Sequence, residues 1–312
     1  MNIAGAMTRV ARRRNGKGFT ILELLTVIGI ILFLMAFLAG VFLRYTKQAK
    51  VKATQKLLER IGKDVVLKKD ITYVDGKPED AEKHKLDIYA PKGKQNAPVF
   101  FFVHGGAWRT GDRTLYLPLG NRFATDGLLV VAPSYRLAPK NPFPAQIDDV
   151  AAAFAWTVKH IKEYGGDPER IYVGGHSAGG HLVSLLTLDP IHLEKHKLSP
   201  KHIRGTAALS GVYDLTAIGD SQAAVFGTDK EFRRKASPHF FINNAAPPFL
   251  VTYCQWDYLT LPAQARAFHA SLKKAGVVSE LVFVPKENHI SEMLSIANPD
   301  DVTAKAILKF VK

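Results

Sequence analysis

Residues 170–188 read RIYVGGHSAGGHLVSLLTL, and the fold is read from how that stretch must bend. The run from Ile171 to Gly175 is composed like a buried strand, and the apolar stretch from His181 to Leu188 is composed like a helix. Between them, Gly175-His176-Ser177-Ala178-Gly179 spells G-x-S-x-G. Where a strand runs directly into a helix, this spacing makes a sharp turn that strains the serine backbone and presents its hydroxyl at the carboxyl edge of a sheet. The flanking positions are small because side chains there would collide with the adjoining strand and helix. The helix N-terminus favours negative charge developing beside the serine. Ser177 is therefore the candidate nucleophile.

Outward from that turn, β-rich runs alternate with helical stretches. The runs cover 65–74, 85–90, 98–105, 128–135, 170–175, 205–211, 247–254 and 280–285. Helices are expected near 115–126, 146–163, 178–188, 262–275 and 301–311. The alternation predicts an α/β domain over 65–312, with a mostly parallel eight-stranded sheet covered by helices on both faces. The first two runs are polar and alternating, which suits an antiparallel edge; the later apolar runs suit buried parallel strands. GGDPER (165–170) reads as a turn before strand five. Residues 212–246 leave room for a cap-like insert, with 221–236 as part of a lid. There is no repeat or low-complexity tract.

The strand PVFFFV ends in His104-Gly105-Gly106-Ala107-Trp108. H-G-G-x-W together with G-H-S-A-G-G resembles the esterase branch of the α/β-hydrolase superfamily. That branch includes hormone-sensitive-lipase-like, ferulic-acid-esterase-like and arylformamidase-like enzymes. The first group usually carries H-G-G-G, so Ala107-Trp108 points to the other two. YRLAP (135–139) and FPAQIDDV (143–150) are further family-like phrases. The resemblance spans 65–312 and implies an oxyanion hole built from the amides of Gly106, Ala107 and Ala178. It also implies a structural His104 that anchors its loop. Trp108 is a candidate lining residue of the substrate pocket, or a packed loop tryptophan.

A serine hydroxyl needs a base, and the base needs a carboxylate to orient it. In this fold the order along the chain is serine, acid, histidine. Asp257 follows the strand PPFLVTYC and His289 follows the strand ELVFVP, so both fall on the same sheet edge as Ser177. The rival acid, Asp214, is read as a loop cap. His269 lies inside a helix and His239 in an irregular stretch, so neither suits the base. Asp148 and Asp149 open a helix as cap candidates.

The chain has 312 residues and a formal net charge of +14, but the charge is concentrated at one end. Residues 1–69 hold 14 Lys and Arg against 3 Asp and Glu, and residues 70–312 hold 28 against 25. The excess flanks Val27–Leu43, 17 residues without a charge, so it speaks for a membrane segment and not for nucleic acid. Lys17-Gly18-Phe19-Thr20-Ile21-Leu22-Glu23 is similar to the leader junction of type IV prepilins and pseudopilins. That resemblance implies cleavage after Gly18 by a prepilin peptidase, N-methylation of Phe19, and the family's glutamate at Glu23. The expected organisation is a basic leader (1–18), a transmembrane helix (19–43), a basic helical linker (44–64) and the hydrolase domain (65–312). Arg9, Arg12, Arg13, Arg14 and Lys17 keep the N-terminus cytoplasmic, which puts the domain on the exported side of a bacterial inner membrane.

The single cysteine, Cys254, excludes an intramolecular disulfide and a multi-cysteine zinc site, and it reads as core. His192-Leu-Glu-Lys-His196 misplaces the glutamate of H-E-x-x-H and reads as a solvated loop. No metal or cofactor is expected. The function expected is hydrolysis of a small carboxylic ester through an acyl-enzyme. An arylformamidase-like amide hydrolase is the alternative within that chemistry, and a pilin-like structural subunit with an inactive hydrolase body is the alternative outside it.

Overall fold

The computed structural model describes residues 63–74 and 80–311. The leader, the Gly18–Phe19 junction, Glu23, the transmembrane helix and nearly all of the linker expected over 44–64 lie outside those residues. Among the described residues no helix is long and apolar enough to cross a membrane.

The strands are β1 (Val65–Thr72), β2 (Lys85–Pro91), β3 (Ala97–Val103), β4 (Leu129–Pro133), β5 (Gly166–His176), β6 (Gly205–Leu209), β7 (Phe249–Trp256) and β8 (Ser279–Asn288). The helices are α1 (Leu117–Thr125), α2 (Ala145–His160), α3 (Ala178–Leu188), α4 (Ile191–Glu194), α5 (Ala223–Phe226), α6 (Lys230–Lys235), α7 (Leu261–Lys274), α8 (Ser291–Ser295) and α9 (Val302–Phe310). All eight strands join one sheet in the order β1-β2-β4-β3-β5-β6-β7-β8. β1 and β2 run antiparallel to their neighbours, and every pairing from β4 to β8 is parallel. From β3 the chain steps one way to β4, and β5 to β8 then fill the other side. In an open α/β sheet, ligands bind beyond the strand carboxyl ends at that reversal. The reversal lies between β3 and β5, whose ends carry His104-Gly105-Gly106 and Ser177.

The core follows the alternation of a strand. Phe100 and Phe102 point to one face, where Phe100 meets Phe123 of α1 edge to face at 5.5 Å. Phe101, between them, points to the other face and meets Phe154 of α2 at 5.6 Å. A third cluster packs Phe268 and Leu272 of α7 on Phe249 and Val251.

The first two runs do form the antiparallel edge of the sheet, with β1 outermost. Two details change. β2 is not half exposed, because it pairs with both β1 and β4, and Leu86–Ala90 are all buried. Its polar residue Asp87 is tolerated because Arg113 Nε donates to it at 3.1 Å and the Asp70 N–H at 2.9 Å. β5 begins at Gly166, so GGDPER is an irregularity within the strand: Ala97 faces Gly166, while Val99 faces Ile171. The turn chemistry is still present there, as Asp167 accepts from the Glu169 N–H at 3.0 Å.

Asp148 and Asp149 do not cap α2, whose N-cap is Pro144. Asp149 instead takes Arg136 in a two-pronged bond and accepts its N–H at 2.8 Å, which ties the YRLAP segment to the helix. The lid expected over 221–236 is sewn into the body: Val225, Phe226 and Ala236 are buried with the main core. Arg233 is also buried and donates to the carbonyls of Gly219 and Gly227. His192 is buried on α4 beside Asp189, not on a solvated loop. Among the described residues no group of His, Cys, Asp and Glu could hold a metal ion.

Candidate active site

Ser177 sits between the end of β5 and the start of α3 with φ 56° and ψ −117°. A non-glycine residue rarely adopts this conformation, which costs on the order of 1–3 kcal/mol. Its surroundings enforce it: the Ser177 N–H donates to the Leu209 carbonyl at 2.9 Å, and its carbonyl accepts from the His181 N–H at 3.0 Å. The turn needs glycine where chains cross. A Cβ added at Gly179 would lie 2.0 Å from the Val103 carbonyl oxygen. That contact presses the end of β3 against the nucleophile turn.

The loop after β3 therefore starts beside Ser177. A Cβ on Gly105 would come within 3.3 Å of the Ser177 Cβ. The Gly105 N–H is already engaged, donating to the Tyr116 hydroxyl at 3.1 Å. Gly106, Ala107 and Trp108 then take φ values of 116°, 51° and 59°, which curl the backbone sharply. Among the described residues, the N–H groups of Gly106, Ala107 and Ala178 donate to no backbone carbonyl of a turn or loop. His104 is buried, stacked on Tyr135 at 4.1 Å, and its Nδ1 lies 2.8 Å from the Gly105 carbonyl. It anchors the loop, as the resemblance implies.

Trp108 is a strut in the core and not a pocket wall. It is 2% exposed, and its Nε1–H donates to His181 Nδ1 at 3.1 Å. His181 accepts there, so its proton is on Nε2, which donates to the Ala236 carbonyl at 2.7 Å. The indole also meets Phe226 edge to face at 4.9 Å. One chain of contacts thus joins the glycine loop, the nucleophile helix and the 212–246 insert.

Asp257 and His289 meet at the ends of β7 and β8, with His289 Nδ1 2.7 Å from Asp257 Oδ1. Both side chains are almost wholly buried. Asp257 also accepts from the Cys254 N–H at 3.2 Å and the Tyr258 N–H at 2.9 Å. Burial pushes its carboxyl up. The bonds from His289, Ser210 and Cys254 outweigh that and hold it below the ordinary carboxylate value. The His289 ring lies between Tyr258, at 4.4 Å, and His176, at 4.6 Å. His176 immediately precedes Ser177, so the imidazole is brought to the nucleophile's turn. Burial pushes His176 down to about 3.

The rivals fall elsewhere. Asp214 caps the turn at Leu215–Ala217 by accepting from the Thr216 N–H at 2.8 Å. His269 pairs with Ser279 on α7, and His239 packs on Phe240 and Phe268. Cys254 is buried, which pushes its thiol up.

Three groups were not singled out from the sequence: His176, Ser210 and Glu292. The Glu292 carboxyl is fully buried on α8, with Oε2 2.8 Å from Ser210 Oγ and Oε1 2.8 Å from Thr252 Oγ1 and 3.1 Å from Thr303 Oγ1. A glutamate three residues after the histidine was the only trace of it in the sequence.

Comparison with known proteins agrees with this geometry. The BD-FAE family matches residues 86–272, more than half of the chain. A probable carboxylic ester hydrolase of Mycobacterium tuberculosis, LipM, is 33% identical over 84% of this chain and 64% of its own length. The esterase LipQ of the same organism is 30% identical over 72% of this chain and 60% of its own. The chain thus spans a little under two thirds of these relatives. Among solved structures, a truncated carbohydrate esterase from gut microbiota superposes with a TM-score of 0.69 at 20% identity, over 80% of this chain and 95% of that one. Esterase B from Lactobacillus rhamnosis superposes with a TM-score of 0.68 at 22% identity, over 88% and 96%. These likenesses establish the α/β-hydrolase fold.

Proposed function

The chain belongs to the BD-FAE family, and from that premise we propose that it hydrolyses carboxylic esters through an acyl-enzyme on Ser177, His289 and Asp257. The observation that carries this reading is the 2.7 Å Asp257–His289 contact, set beside the strained turn that exposes Ser177. Asp257 accepts a hydrogen bond from His289 Nδ1–H, which leaves Nε2 free to act as base. Nε2 takes the Ser177 proton as Oγ attacks the ester carbonyl, and it returns that proton to the leaving alcohol. The same group then activates a water that clears the acyl-enzyme. The N–H groups of Gly106, Ala107 and Ala178 receive the negative oxygen of each tetrahedral intermediate. Each such preorganised donor is worth about 2.7–4 kcal/mol in systems where it has been removed.

Ser177→Ala should abolish hydrolysis of p-nitrophenyl acetate and labelling by a fluorophosphonate. Turnover at the wild-type rate would reject the assignment. Assaying an N-formyl aryl amide beside the ester separates the arylformamidase-like alternative. We also propose that the uncharged run Val27–Leu43 tethers the domain to a membrane, with the basic flank on the cytoplasmic side. Sequencing the mature N-terminus and fractionating the cells that express the full chain test that tether and cleavage after Gly18.

A further inference from the structure

Ser210 lies between two carboxyl groups. Its Oγ is 2.8 Å from Glu292 Oε2 and 3.6 Å from Cys254 Sγ, and its side chain also lies against the Asp257 carboxyl, whose ionised form it favours. A hydroxyl has one proton to donate. If both carboxyls were ionised, one of the two carboxyl contacts would set lone pair against lone pair, and two like charges would share a buried site. Among the described residues no cation opposes that crowding. The groups facing Glu292 are Asp257, Cys254, Tyr213 and His176. His176 is the only base among them; its Nε2 is 3.9 Å from Glu292 Oε2, and burial keeps it neutral.

We infer that Glu292 is held as an un-ionised acid and acts as a positioning residue for Asp257, through Ser210. The assignment rests on the roles proposed above for Asp257 and His289. It gives the two carboxyls and the three hydroxyls around them a consistent set of donors and acceptors. The proton on Glu292 Oε2 is donated to Ser210 Oγ, and Ser210 then donates its own proton to Asp257. The carbonyl oxygen Oε1 accepts from Thr252 at 2.8 Å and Thr303 at 3.1 Å. Asp257 then has donors from His289, Ser210, Cys254 and Tyr258, which fix the plane of its carboxylate. Burial pushes the Glu292 carboxyl up, in the same sense.

Glutamine reproduces an un-ionised glutamic acid, with an amide N–H for Ser210 and a carbonyl for the two threonines. Glu292→Gln should therefore keep kcat within about threefold of wild type, while Glu292→Met, which removes both functions, should lower kcat about 10- to 100-fold with KM nearly unchanged. Ser210→Ala, which leaves Glu292 in place, should show the same loss in kcat. Gln falling as far as Met, or Met and Ser210→Ala both matching wild type, would overturn the assignment. An arm independent of turnover uses infrared difference spectra of wild type against Glu292→Gln, with carboxyl-labelled glutamate, at neutral pH. The carbonyl stretch of a protonated carboxyl should appear in wild type and vanish in the variant. Carboxylate bands in its place would overturn the assignment even if esters are cleaved. A protonated band in a protein that cleaves no ester would sustain it and reject only the proposed reaction.

Discussion

Replacing Asp257 by asparagine changes one atom and removes one acceptor, and the structure says why that should be severe. Both carboxylate oxygens are committed to donors: Oδ2 to the Cys254 N–H at 3.2 Å, and Oδ1 to the Tyr258 N–H at 2.9 Å and to His289 Nδ1 at 2.7 Å. Asparagine has a single acceptor oxygen. If that oxygen faces His289 and Tyr258, the amide NH₂ faces the Cys254 N–H, donor against donor, in a buried place. If the amide is flipped, its NH₂ faces His289 and the imidazole must accept at Nδ1. The proton then sits on Nε2, and the ring cannot take one from Ser177. The first orientation strands a buried donor and removes the charge behind the imidazole, and the second gives the wrong tautomer and avoids the clash at Cys254. Accordingly kcat should fall about 10³- to 10⁴-fold, the larger figure being the loss this change causes in a serine protease through the wrong tautomer. That loss corresponds to roughly 4–5.5 kcal/mol of barrier. The assay is steady-state hydrolysis of p-nitrophenyl acetate, with the denaturation midpoint followed to confirm folding. Asp214→Asn serves as the control and should be near wild type. A folded Asp257→Asn protein that keeps a tenth of the wild-type kcat would refute the orienting role of this carboxylate.

Trp108→Phe keeps the ring packing but leaves His181 Nδ1 buried without its donor; it should cost about 1–3 kcal/mol, measured by urea denaturation. An unchanged midpoint would show that the indole–imidazole bond does not support the loop. Gly179→Ala puts a methyl 2.0 Å from the Val103 carbonyl oxygen and 2.7 Å from that of His104. Both are backbone atoms that cannot swing away, so the loss should be about 3 kcal/mol or more, with folded, active protein in normal yield as the contrary result. Burial pushes His104, His176 and His181 down, to about 4, 3 and 4, from the ordinary value of 6.5. Below pH 6.5 the unfolded chain binds protons that the folded chain refuses. Stability is therefore whole above that pH and should fall as pH drops towards 4, at roughly 1.4 kcal/mol per pH unit for each histidine. Denaturation midpoints measured across that window check the slope, and a flat profile would contradict it.

The parts of this site that were legible in the sequence are those that depend on local spacing. The strained turn at Ser177 was legible because G-x-S-x-G records a steric need within five residues, and α3 occupies the span expected of it. The meeting of Asp257 and His289 was legible because each follows an apolar run that ends at the same edge. What stayed hidden depends on meetings between distant segments. β2 looked half exposed because Asp87 and Lys85 make it alternate, and Arg113, which permits burial of Asp87, lies 26 residues away. The role of Glu292 arises only where β6, β7 and α8 converge, since Ser210 and Thr252 are 82 and 40 residues from it. Trp108 was read with two outcomes open, and His181, which decides between them, is 73 residues along the chain.

The charge around Ser177 explains why one carboxylate can serve the whole site. His104, His176 and His181 surround the nucleophile turn, and burial leaves each of them neutral. With Glu292 un-ionised, Asp257 is, among the described residues, the single anion against the imidazole, and no fixed cation among them competes for it. In the mechanism proposed above, His289 takes up the Ser177 proton, and the new positive charge then has one partner, 2.7 Å away and shielded from water. A pair in such surroundings interacts more strongly than it would in water. In the same proposed mechanism the opposite charge forms on the substrate oxygen, where neutral N–H dipoles would meet it. The two halves of the charge separation are thus stabilised by different means on opposite sides of Ser177: a buried ion beneath the base, and fixed dipoles above the ester. An added charge on either side would favour one half before the reaction begins. That is a physical reason for the buried histidines to be uncharged and for the second carboxyl to keep its proton.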